Sequence, residues 1–404
     1  MRPFEGRRIL LGVTGGIASY KTVMLARLMT QAGAEVDVVM TRAALEFVGA
    51  ITFEAVTGRR TYSEIFGAGN ALDHIRLARE AALIVVAPAT ADFLARAAHG
   101  HADDLLTAVL LANSAPVLLI PAMNDRMWAN GQTLQNVAHL RELGYNVVDP
   151  DEGPLAAGEG SGPGRMPEPE AILAHAARLL ETSRSLAGRK IVVTAGATRE
   201  AIDPVRFISN HSTGKMGVAI AESAWRRGAL VTLIAGHMDV AAPLWVRRVA
   251  AETAKAMRDA VAAEVGDAHA LIMAAAPADF RSASLAASKM KKHDALGEHV
   301  VIELAPTDDI LVSTLGDRAE GCVVVGFALE TENIVANAEE KLQRKSLDLI
   351  VANSAVEPGA GFGGDTNRVT IIGRDGQQET IPLMKKSELA DIILDRVESL
   401  LNGR

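Results

Sequence analysis

Short runs of apolar residues alternate with amphipathic segments along the first 150 residues. The runs are rich in β-branched and aliphatic residues, which is typical of buried parallel strands. They predict strands near residues 8–14, 35–40, 83–87, 117–120 and 146–148. The amphipathic segments predict helices near residues 18–32, 42–57, 73–81, 102–112 and 131–143. This alternation indicates a doubly wound α/β sheet, which binds its ligands at the carboxyl ends of the strands.

The same alternation begins again after residue 188, behind a helix predicted near residues 168–182. Its strands are predicted near residues 190–194, 230–234, 271–274, 323–326 and 348–351, with a hairpin near 367–383. Residues 151–166 interrupt the pattern because they are too rich in glycine and proline for regular structure. Their composition leaves two interpretations open, a linker and a mobile active-site flap. We predict two Rossmann-like domains, 1–183 and 184–404, since 404 residues exceed one ordinary core.

Each half begins with a strand, a glycine turn and a helix. Residues 7–16 read RRILLGVTGG, and residues 189–196 read RKIVVTAG. Glycine lets a backbone approach a phosphate closely, and the N–H groups at the start of the next helix receive its charge. The sequence therefore predicts two anion sites, and with them two chemistries.

Composition and charge exclude several classes of function. Aromatic residues make up 4% of the chain and its formal net charge is -8, which argues against a nucleic-acid-binding protein. The single cysteine, Cys322, excludes an internal disulfide and predicts a cytoplasmic protein. The apolar run near the N-terminus breaks at Gly12, so we expect neither a signal peptide nor a membrane protein.

Polar residues follow several strands of the first half. The turn after the first strand is not G-x-G-x-x-G, and Thr41 follows the second strand where a nicotinamide enzyme carries a ribose-binding carboxylate. A hydroxyl there suits a single phosphate, as in FMN. The segments APATAD (87–92) and PAMNDRMW (121–128) follow apolar strands and should meet at one sheet edge. His74, which precedes both segments in the chain, lies at a predicted helix start. A structural histidine and a turn-forming Asn124 remain alternatives.

Together these residues resemble the flavin-dependent phosphopantothenoylcysteine decarboxylases over about residues 7–180, most specifically in Pro-Ala-Met-Asn-x-x-Met. The resemblance implies a flavodoxin-like domain in which His74 is the active-site histidine and Asn124 holds the substrate carboxylate. It also implies that flavin oxidises the cysteine-derived thiol to a thioaldehyde, which accepts the electrons left by the departing CO2. The FMN contacts it implies are Gly15, Gly16, Ser19, Thr41, Ala87 and Thr90.

The resemblance favours the flap interpretation of residues 151–166, with one departure. Gly164, Arg165 and Met166 keep the flap's motif, but Ala157 lies where the family carries a cysteine that donates a proton in the final reduction. The oxidation and decarboxylation steps are expected to be intact, and the departure concerns the return of the hydride. Glu159 is an alternative proton donor, a hypothesis that full product formation by a Glu159→Gln variant would contradict.

The second half carries an anion cradle and polar strand ends. The run ISNHSTGKMG (208–217) sets Ser212 and Gly214 before a predicted helix, although the P-loop pattern is absent. The segments AAAPADF (274–280) and GFALET (326–331) each follow a buried strand. Lysines at positions 289, 291 and 292 concentrate positive charge, although such a run is more often a solvated surface.

This half resembles the phosphopantothenate–cysteine ligases over roughly residues 188–400. The resemblance implies that CTP activates the 4'-phosphopantothenate carboxylate as an acyl-cytidylate, which the amine of cysteine attacks. Asn210 matches the residue that engages this intermediate, and Lys289 the mobile-loop lysine that closes over it. At residues 306–310, Asp308 replaces a proline of the family, and Asp309 is a candidate ligand of Mg2+ bound with CTP. The other nucleotide contacts implied are Ser212, Gly214, Ala275, Ala276, Asp279, Phe327, Lys341 and Lys345.

Both halves match consecutive steps of coenzyme A synthesis, so the whole chain resembles the bifunctional decarboxylase/ligases. Three alternatives remain: a nicotinamide oxidoreductase, a flavoenzyme that releases an unreduced enethiol, and a non-catalytic protein. The first lacks its fingerprint, the second would explain Ala157, and the third would not need His74, Asn124, Asn210 and Lys289. The resemblance also implies a homo-oligomer acting on small-molecule substrates, with decarboxylase trimers and ligase dimers.

Overall fold

The computed structural model describes residues 2–67, 70–155, 158, 160–181, 184–290, 301–330, 332–354 and 363–403. The chain divides into two compact units, Met1–Thr182 and Ser183–Arg404. Each unit contains a mostly or wholly parallel sheet with buried apolar clusters on both of its faces. This architecture confirms the predicted doubly wound α/β class.

The sheet of the first unit is wholly parallel and has the order β3-β2-β1-β4-β5-β6. Its strands are β1 (Arg8–Val13), β2 (Glu35–Met40), β3 (Thr61–Tyr62), β4 (Leu83–Ala89), β5 (Val117–Pro121) and β6 (Asn146–Val147). The helices are α1 (Ser19–Gln31), α2 (Ala50–Thr57), α3 (Asp73–Glu80), α4 (Ala91–Ala98), α5 (Leu105–Ala112), α6 (Asp125–Trp128), α7 (Gly131–Glu142) and α8 (Pro169–Leu180). The strand order reverses between β1 and β4, where this class of fold binds its ligands.

Residues of β1 show why the strands read as continuous apolar runs. Ile9 and Leu11 belong to the buried cluster on one face of the sheet, and Leu10 belongs to the cluster on the other. A strand covered on both faces has no position left for a polar side chain. The five strands predicted in this half are all present.

Two of the predicted helices differ from the structure. The helix expected over 42–57 is a 3-10 helix, Arg42–Glu46, followed by α2, because the extended backbone of Gly49 separates them. The helix expected from residue 102 begins at Leu105, since Asp104 accepts the N–H of Thr107 in a capping box. The sequence analysis did not predict α4 at all.

The expectation that residues 151–166 lack regular structure was wrong for the residues of this segment that the structure describes. They form an antiparallel hairpin of β7 (Asp151–Pro154) and β8 (Ser161–Arg165), which we call the flap hairpin. The N–H of Met123 donates to the carbonyl of Gly164 (3.0 Å), and a Cβ on Gly164 (φ +145°) would lie 2.2 Å from the Met123 carbonyl oxygen. Glycine content therefore permits close docking of this hairpin instead of preventing regular structure. Ala157 and Glu159 lie outside the described residues.

The main sheet of the second unit has the order β13-β12-β9-β14-β17-β18-β19-β20, with β19 and β20 antiparallel. The strands of the unit are β9 (Lys190–Ala195), β10 (Arg199–Ala201), β11 (Phe207–Ser209), β12 (Leu230–Ala235), β13 (Arg247–Ala250), β14 (Ala270–Met273), β15 (Phe280–Ser282), β16 (Leu304–Pro306), β17 (Val323–Glu330), β18 (Leu349–Ser354), β19 (Thr366–Gly373) and β20 (Gln378–Lys385). The helices are α9 (Lys215–Arg226), α10 (Ala254–Val265), α11 (Ile310–Ser313), α12 (Ile334–Arg344) and α13 (Lys386–Asn402). The five predicted strands and the late hairpin are confirmed, and the strand order reverses between β9 and β14.

A buried ionic cluster joins α9 to α13. The Asp391 carboxylate is 3% exposed and accepts hydrogen bonds from Arg226 and from the hydroxyl of Ser223. The Arg227 guanidinium, also buried, lies 3.7 Å from the same carboxylate and 2.9 Å from Glu398. Since α9 begins at the predicted anion cradle, this cluster fixes the helix whose N-terminus faces that site. No helix in the described parts of the chain is long and apolar enough to cross a membrane.

Candidate active sites at the two sheet edges

The turn between β1 and α1 forms the floor of the first candidate site. Thr14 Oγ1 donates to the carbonyl of Pro88 (2.7 Å) and accepts the N–H of Thr90 (3.2 Å), which ties this turn to the turn after β4. Ser19 Oγ donates to the carbonyl of Gly16 (2.6 Å) and is fully buried. The Ser19 hydroxyl thus closes the turn instead of facing a ligand.

Two adjacent cavities open above this turn. The larger cavity, of about 960 Å³, is lined by Gly15, Thr41 and Thr90, among others. The flap cavity, of about 440 Å³, is lined by Gly15, Gly16, Asn124 and the flap hairpin. Gly15, Thr90 and Met127 line both, so the cavities are neighbours. Both volumes lie within the range of small-molecule sites, about 300–1,000 Å³.

Thr41 and Thr90 have the same local role at two strand ends. Each hydroxyl caps the helix that follows it, Thr41 accepting the N–H of Ala44 (3.3 Å) and Thr90 the N–H of Phe93 (3.3 Å). Each cap therefore directs a helix N-terminus, with its partial positive charge, toward the larger cavity. The set of donors there, which combines hydroxyls with helix N-termini, is suited to an anion.

Asn124 occupies the predicted meeting point of two strand ends. Ala89 of β4 pairs with Pro121 of β5, which confirms that the two segments reach one sheet edge. Asn124 Oδ1 accepts the N–H of Arg126 (2.9 Å) and so caps α6, as its alternative role of turn former required. No acceptor within the described residues is recorded for its Nδ2 amide, and Asn124 lines the flap cavity. The side chain therefore combines a helix cap with an amide N–H group that can donate to a ligand.

The flap hairpin brings Gly164, Arg165 and Met166 to the flap cavity. Three other predicted residues do not line either cavity. Ser19 and Ala87 are fully buried within the fold, and His74 lies half-buried at the start of α3. Within one chain, the structure thus separates His74 from Asn124 and the flap.

The sequence analysis missed Lys21, which also lines the flap cavity. Its side chain is 9% exposed, and Nζ donates to the carbonyl of Met166 (3.0 Å) and to Glu168 Oε1 (2.9 Å). This hydrogen bond lowers the pKa of Glu168. The only signal in the sequence was composition, because Lys21 is the single lysine among the first 182 residues, which contain 14 arginines.

The second candidate site lies on the turn after β9. Gly196 (φ +85°) approaches the loop after β12 so closely that a Cβ would lie 2.3 Å from the His237 carbonyl oxygen. On the other side, the N–H of Ala276 donates to the Gly196 carbonyl (2.9 Å), and the N–H of Ala275 donates to Thr194 Oγ1 (3.1 Å). The predicted nucleotide contacts Ala275 and Ala276 therefore lie directly against the glycine turn.

Asn210 joins the same group. It follows β11, and its Nδ2 donates to the carbonyl of Pro277 (2.9 Å). The N–H of Ser212 donates to the Asn210 carbonyl (3.0 Å), and Gly214 immediately precedes α9. Phe327 follows Gly326, which pairs with Met273 at the end of β14, so Phe327 reaches this edge as well. The sheet edge thus brings together residues predicted from three separate segments.

Asp309 is engaged by protein groups. One oxygen accepts the N–H groups of Leu311 and Val312, which caps α11, and the other lies 2.9 Å from Lys345 Nζ. Lys341 lies one turn before Lys345 on α12, and the exposed Asp279 receives the N–H of Thr307 on its carbonyl. In the described ranges, no three His, Cys, Asp or Glu side chains form a group suited to a metal ion. Both oxygens of the Asp309 carboxylate are thus engaged by protein groups.

Lys289 is exposed, and the residue after it is clasped by the loop between β10 and β11. Asp203 is buried and accepts the N–H groups of Val205 (2.7 Å), Arg206 (2.8 Å) and Met290 (3.2 Å). Burial alone would raise the pKa of Asp203, but these hydrogen bonds lower it. Arg206 Nη2 also donates to the carbonyl of Met290 (2.7 Å). The lysines at positions 291 and 292 lie outside the described residues.

Comparison with known proteins assigns each unit to a family. The family described as "Flavoprotein" matches residues 2–181, and the family described as "DNA/pantothenate metabolism flavoprotein C-terminal domain" matches residues 186–401. A solved C-terminal domain of a "Coenzyme A biosynthesis bifunctional protein CoaBC" is 38% identical, with a TM-score of 0.47, and the match covers 55% of this chain and all of that domain. Because the "Flavoprotein" family matches residues 2–181, the first unit is a flavoprotein domain.

Whole-chain relatives join the two units in one function. The "Coenzyme A biosynthesis bifunctional protein CoaBC" of Mycobacterium bovis is 44% identical over 98% of this chain and 97% of its own length. The proteins of that name from Bacillus subtilis and Escherichia coli are 44% and 41% identical and also match nearly end to end, over 98% and 97% of both chains. Because both units match in the same order and over nearly full length, the chain belongs to the family of bifunctional coenzyme A biosynthesis proteins, enzymes that combine phosphopantothenoylcysteine decarboxylase and phosphopantothenate–cysteine ligase activities.

Proposed function

We propose that decarboxylation takes place in the flap cavity, with the Asn124 amide holding the carboxylate of 4'-phosphopantothenoylcysteine. The observation that carries this proposal is that Asn124 both caps a helix through its side-chain oxygen and lines the flap cavity. Its side-chain oxygen accepts the Arg126 N–H, and Asn124 lines a cavity that Gly164 and Arg165 also line. An amide donor and a nearby guanidinium would hold a carboxylate in a fixed orientation before it leaves as CO2.

The larger cavity is the proposed FMN site, with Gly15, Thr41 and Thr90 as contacts that line it and Gly16 as a contact at the adjoining flap cavity. The fit rests on the size of the cavity and on its hydroxyls and helix N-termini, which suit the FMN phosphate. Ser19 and Ala87 act indirectly, as buried residues that shape the two turns. Bound flavin supplies a reversible two-electron acceptor beside the flap cavity.

The reaction breaks the bond between the carboxylate and the carbon that carries nitrogen, releases CO2 and adds a proton to that carbon. Arg165 and Met166 would exclude water while this happens, because the flap hairpin covers the cavity. Where relatives of the decarboxylases carry the flap cysteine, this chain has Ala157. Glu159 of the same segment is the proposed proton donor for the product.

Ligation is proposed at the edge of the second sheet. There Asn210, Ala275 and Ala276 surround the glycine turn, and the N-terminus of α9 behind Ser212 and Gly214 offers N–H groups to a phosphate. The proposed overall reaction joins 4'-phosphopantothenate to cysteine, with CTP converted to CMP and pyrophosphate. The side chains proposed to offset the triphosphate charge are Lys289, Lys341 and Lys345, and those proposed to contact the nucleotide are Asp279 and Phe327.

We propose that Asp309 does not bind the Mg2+ ion that accompanies CTP. That carboxylate already caps α11 and pairs with Lys345, so it fits a structural role that orients the lysine. Any Mg2+ would therefore bind mainly through the triphosphate oxygens, as this ion commonly does.

The first unit is proposed to form a homo-oligomer through the exposed face of α1. Tyr20 and Met24 lie one turn apart on α1 and are 60% and 50% exposed, and Ile17, two residues before the helix begins, is 68% exposed. Ile17 and Tyr20 also line the flap cavity, so this apolar surface is continuous with the site. Second copies of this chain are the proposed occupants, in trimers, with the second units forming dimers.

An oligomer would also explain the position of His74, which does not line its own flap cavity. We propose that His74 serves the site of a neighbouring copy and that the assembly is cytoplasmic. Replacing Met24 with Glu should dissociate the trimer in light scattering, whereas Leu111→Glu, at an exposed site on α5, should not. A Met24→Glu variant that stays fully assembled would contradict the proposal.

The matched variants Asn124→Asp and Asn130→Asp test the assignment of Asn124. Both asparagines cap a helix through Oδ1, and aspartate caps equally well, so both variants should fold. Asn124→Asp replaces the donor by a carboxylate that repels the substrate, and turnover of 4'-phosphopantothenoylcysteine should fall at least about 100-fold. Equal activities of the two variants would overturn the assignment.

A second candidate outcome is favoured by Ala157 specifically. If no group replaces the flap cysteine, the first unit releases the enethiol and leaves its flavin reduced. Mass spectrometry of the product separates the cases: loss of CO2 alone indicates a closed redox cycle, and loss of CO2 plus two hydrogens indicates the enethiol. Glu159→Gln should move the product from the first case to the second.

A further inference from the structure

We propose that Lys21 is a positioning residue for the decarboxylation, an internal strut that holds the base of the flap hairpin against α1. The proposal deepens the proposed function of the flap cavity and rests on it. Lys21 reaches across 145 positions of the chain to donate to the carbonyl of Met166, the first residue after the hairpin. No family motif used above assigns it a role.

The contacts of Lys21 are those of a support and not of a surface ion pair. Its ammonium is almost completely withdrawn from water, and it donates to a backbone carbonyl, that of Met166, as well as to the Glu168 carboxylate. Burying an ammonium is costly unless several acceptors satisfy it. The carbonyl of Met166 and the carboxylate of Glu168 supply two acceptors, so the side chain is stable only while the segment 166–168 stays docked.

Glu168 extends the support into the flap cavity. It receives Lys21 on Oε1 and also bonds to the guanidinium of Arg165, which lines that cavity. Glu168 thus joins a buried cation to a cation at the site and fixes the direction of the Arg165 side chain. The strand partner of Arg165, Asp151, lies at the other side of the hairpin base.

Helix α1 gives the strut its second connection. The helix begins at Ser19, whose hydroxyl closes the turn of the proposed flavin site, and Lys21 follows only two residues later. One rigid turn of helix therefore carries both the end of the cofactor loop and the support of the flap. We infer that the flap is held at a fixed height above the cofactor through Lys21.

The chemistry of the side chain explains a lysine in a unit otherwise supplied with arginine. A compact ammonium with three donors can reach one carbonyl and one carboxylate in a narrow buried space, whereas a planar guanidinium needs a wider one. Lys21→Met keeps the apolar stem and removes the charge. Lys21→Arg keeps the charge and should restore part of the lost function.

Kinetics of the full chain provide the first test. In Lys21→Met, kcat/KM for 4'-phosphopantothenoylcysteine should fall about 30-fold, mainly through KM, because the loosened flap binds substrate poorly. Flavin content and ligase activity should be unchanged, and Lys21→Arg should recover part of the KM. An exposed lysine of the second unit, Lys255, supplies the control variant Lys255→Met. Unchanged KM in Lys21→Met would overturn the proposal.

Limited trypsin digestion tests the geometry without any activity measurement. Cleavage after Arg165 should be at least about tenfold faster in Lys21→Met, whereas cleavage after Arg141, on α7, should not change. Equal rates after Arg165 would contradict the strut. This readout separates the two proposals, because failure of the Asn124 assignment leaves the cleavage result unaffected.

The wild-type lysine supplies a test that does not depend on folding of a Lys21 variant. As the only lysine of its unit, Lys21 yields a single amine-labelled side chain there, which mass spectrometry can follow. Labelling should be slow in the native protein and markedly faster in Gly164→Ala, where the added Cβ would collide with Met123 and release the hairpin. Slow labelling of Lys21 in an undocked Gly164→Ala variant would show that the two are not coupled.

Discussion

In both units a buried charged side chain holds a segment that lies near the candidate site, but the two side chains carry opposite charges. In each unit, a segment near the site is held by a side chain that follows the first strand: Lys21 on the first helix of the first unit, and Asp203 before the first long helix of the second unit. In the first unit the ammonium of Lys21 donates to the carbonyl of Met166; in the second the carboxylate of Asp203 accepts the N–H of Met290. A shared sheet plan therefore supports two covering segments by different chemistry.

The connection after the first strand explains why the supports differ. In the first unit α1 begins a few residues after β1, and the support must come from the helix itself. In the second unit the strands β10 and β11 are inserted between β9 and α9, and they carry Asp203, Arg206 and the approach to Asn210. The insertion therefore carries residues of the proposed ligation site, and the first unit has no corresponding strands in the described residues between β1 and α1.

Independent stability of the two units is tested by the largest effect we expect. Asp391→Asn leaves the buried Arg226 and Arg227 without their carboxylate and should cost the second unit about 3–5 kcal/mol in the free energy of unfolding. Flavin release on heating, which reports the first unit, should not move. The control Asp395→Asn alters a half-exposed partner of Arg227 and should cost less than about 1 kcal/mol. A matching loss of stability in the first unit would break the comparison.

Docking of the flap hairpin is tested by Gly164→Ala, which should reduce decarboxylation about 100-fold and leave ligation intact. The added Cβ would collide with the Met123 carbonyl oxygen, and the backbone at φ +145° is strained for alanine. Gly158→Ala is the control, because its φ is also positive but nothing lies within 4 Å of its added Cβ. Steady-state assays of both activities give the result; equal loss in both variants would show that strain, not docking, matters.

Acid should weaken the first unit through His175 on α8. Burial, with a smaller contribution from Arg178, lowers the pKa of His175 from 6.5 to about 4. The unfolded chain then binds a proton between these values that the folded chain does not, so stability is full above pH 6.5 and falls as the pH drops toward 4. The loss is on the order of 3 kcal/mol. Thermal unfolding followed by flavin release should lose this pH dependence in His175→Gln; an unchanged profile would refute it.

The smallest expected effect concerns the support in the second unit. Asp203→Asn weakens the acceptor of three N–H groups and should raise the KM of ligation about tenfold, without changing decarboxylation. Asp239→Asn, at an exposed position in the same unit, provides the comparison. If the two variants had the same KM for ligation, Asp203 would not support the second site as Lys21 is proposed to support the first.

Local pattern predicted the frame of both sites but not their supports. Every central strand was predicted, because a strand buried on both faces must be apolar throughout, and parallel strands bring Asn124 and Thr90 to one edge. The flap hairpin was missed because its stability comes from docking on Met123, not from its own composition. Lys21 and Asp203 were missed because their partners are 145 and 87 positions away, and no spacing rule relates such residues.

The residues whose roles were inferred from resemblance fall into two groups: those that the fold brings to a candidate site, and His74, which it does not. Asn124, Asn210 and Ala276 lie where strand ends and glycine turns converge, so their positions follow from the fold. His74 is half-buried at the start of α3 and outside its own flap cavity, and the role proposed for it depends on a second copy. A single sequence contains no pattern that predicts which surface meets a copy of itself.

The central claim is that the two asparagines divide the two reactions between the units. The most direct test supplies the full chain with 4'-phosphopantothenate, cysteine and CTP and follows both products by mass spectrometry. Asn124→Asp should accumulate 4'-phosphopantothenoylcysteine, Asn210→Asp should form neither product, and a mixture of the two variants should restore 4'-phosphopantetheine. Loss of ligation in Asn124→Asp, or failure of Asn210→Asp to decarboxylate added 4'-phosphopantothenoylcysteine, would contradict the account.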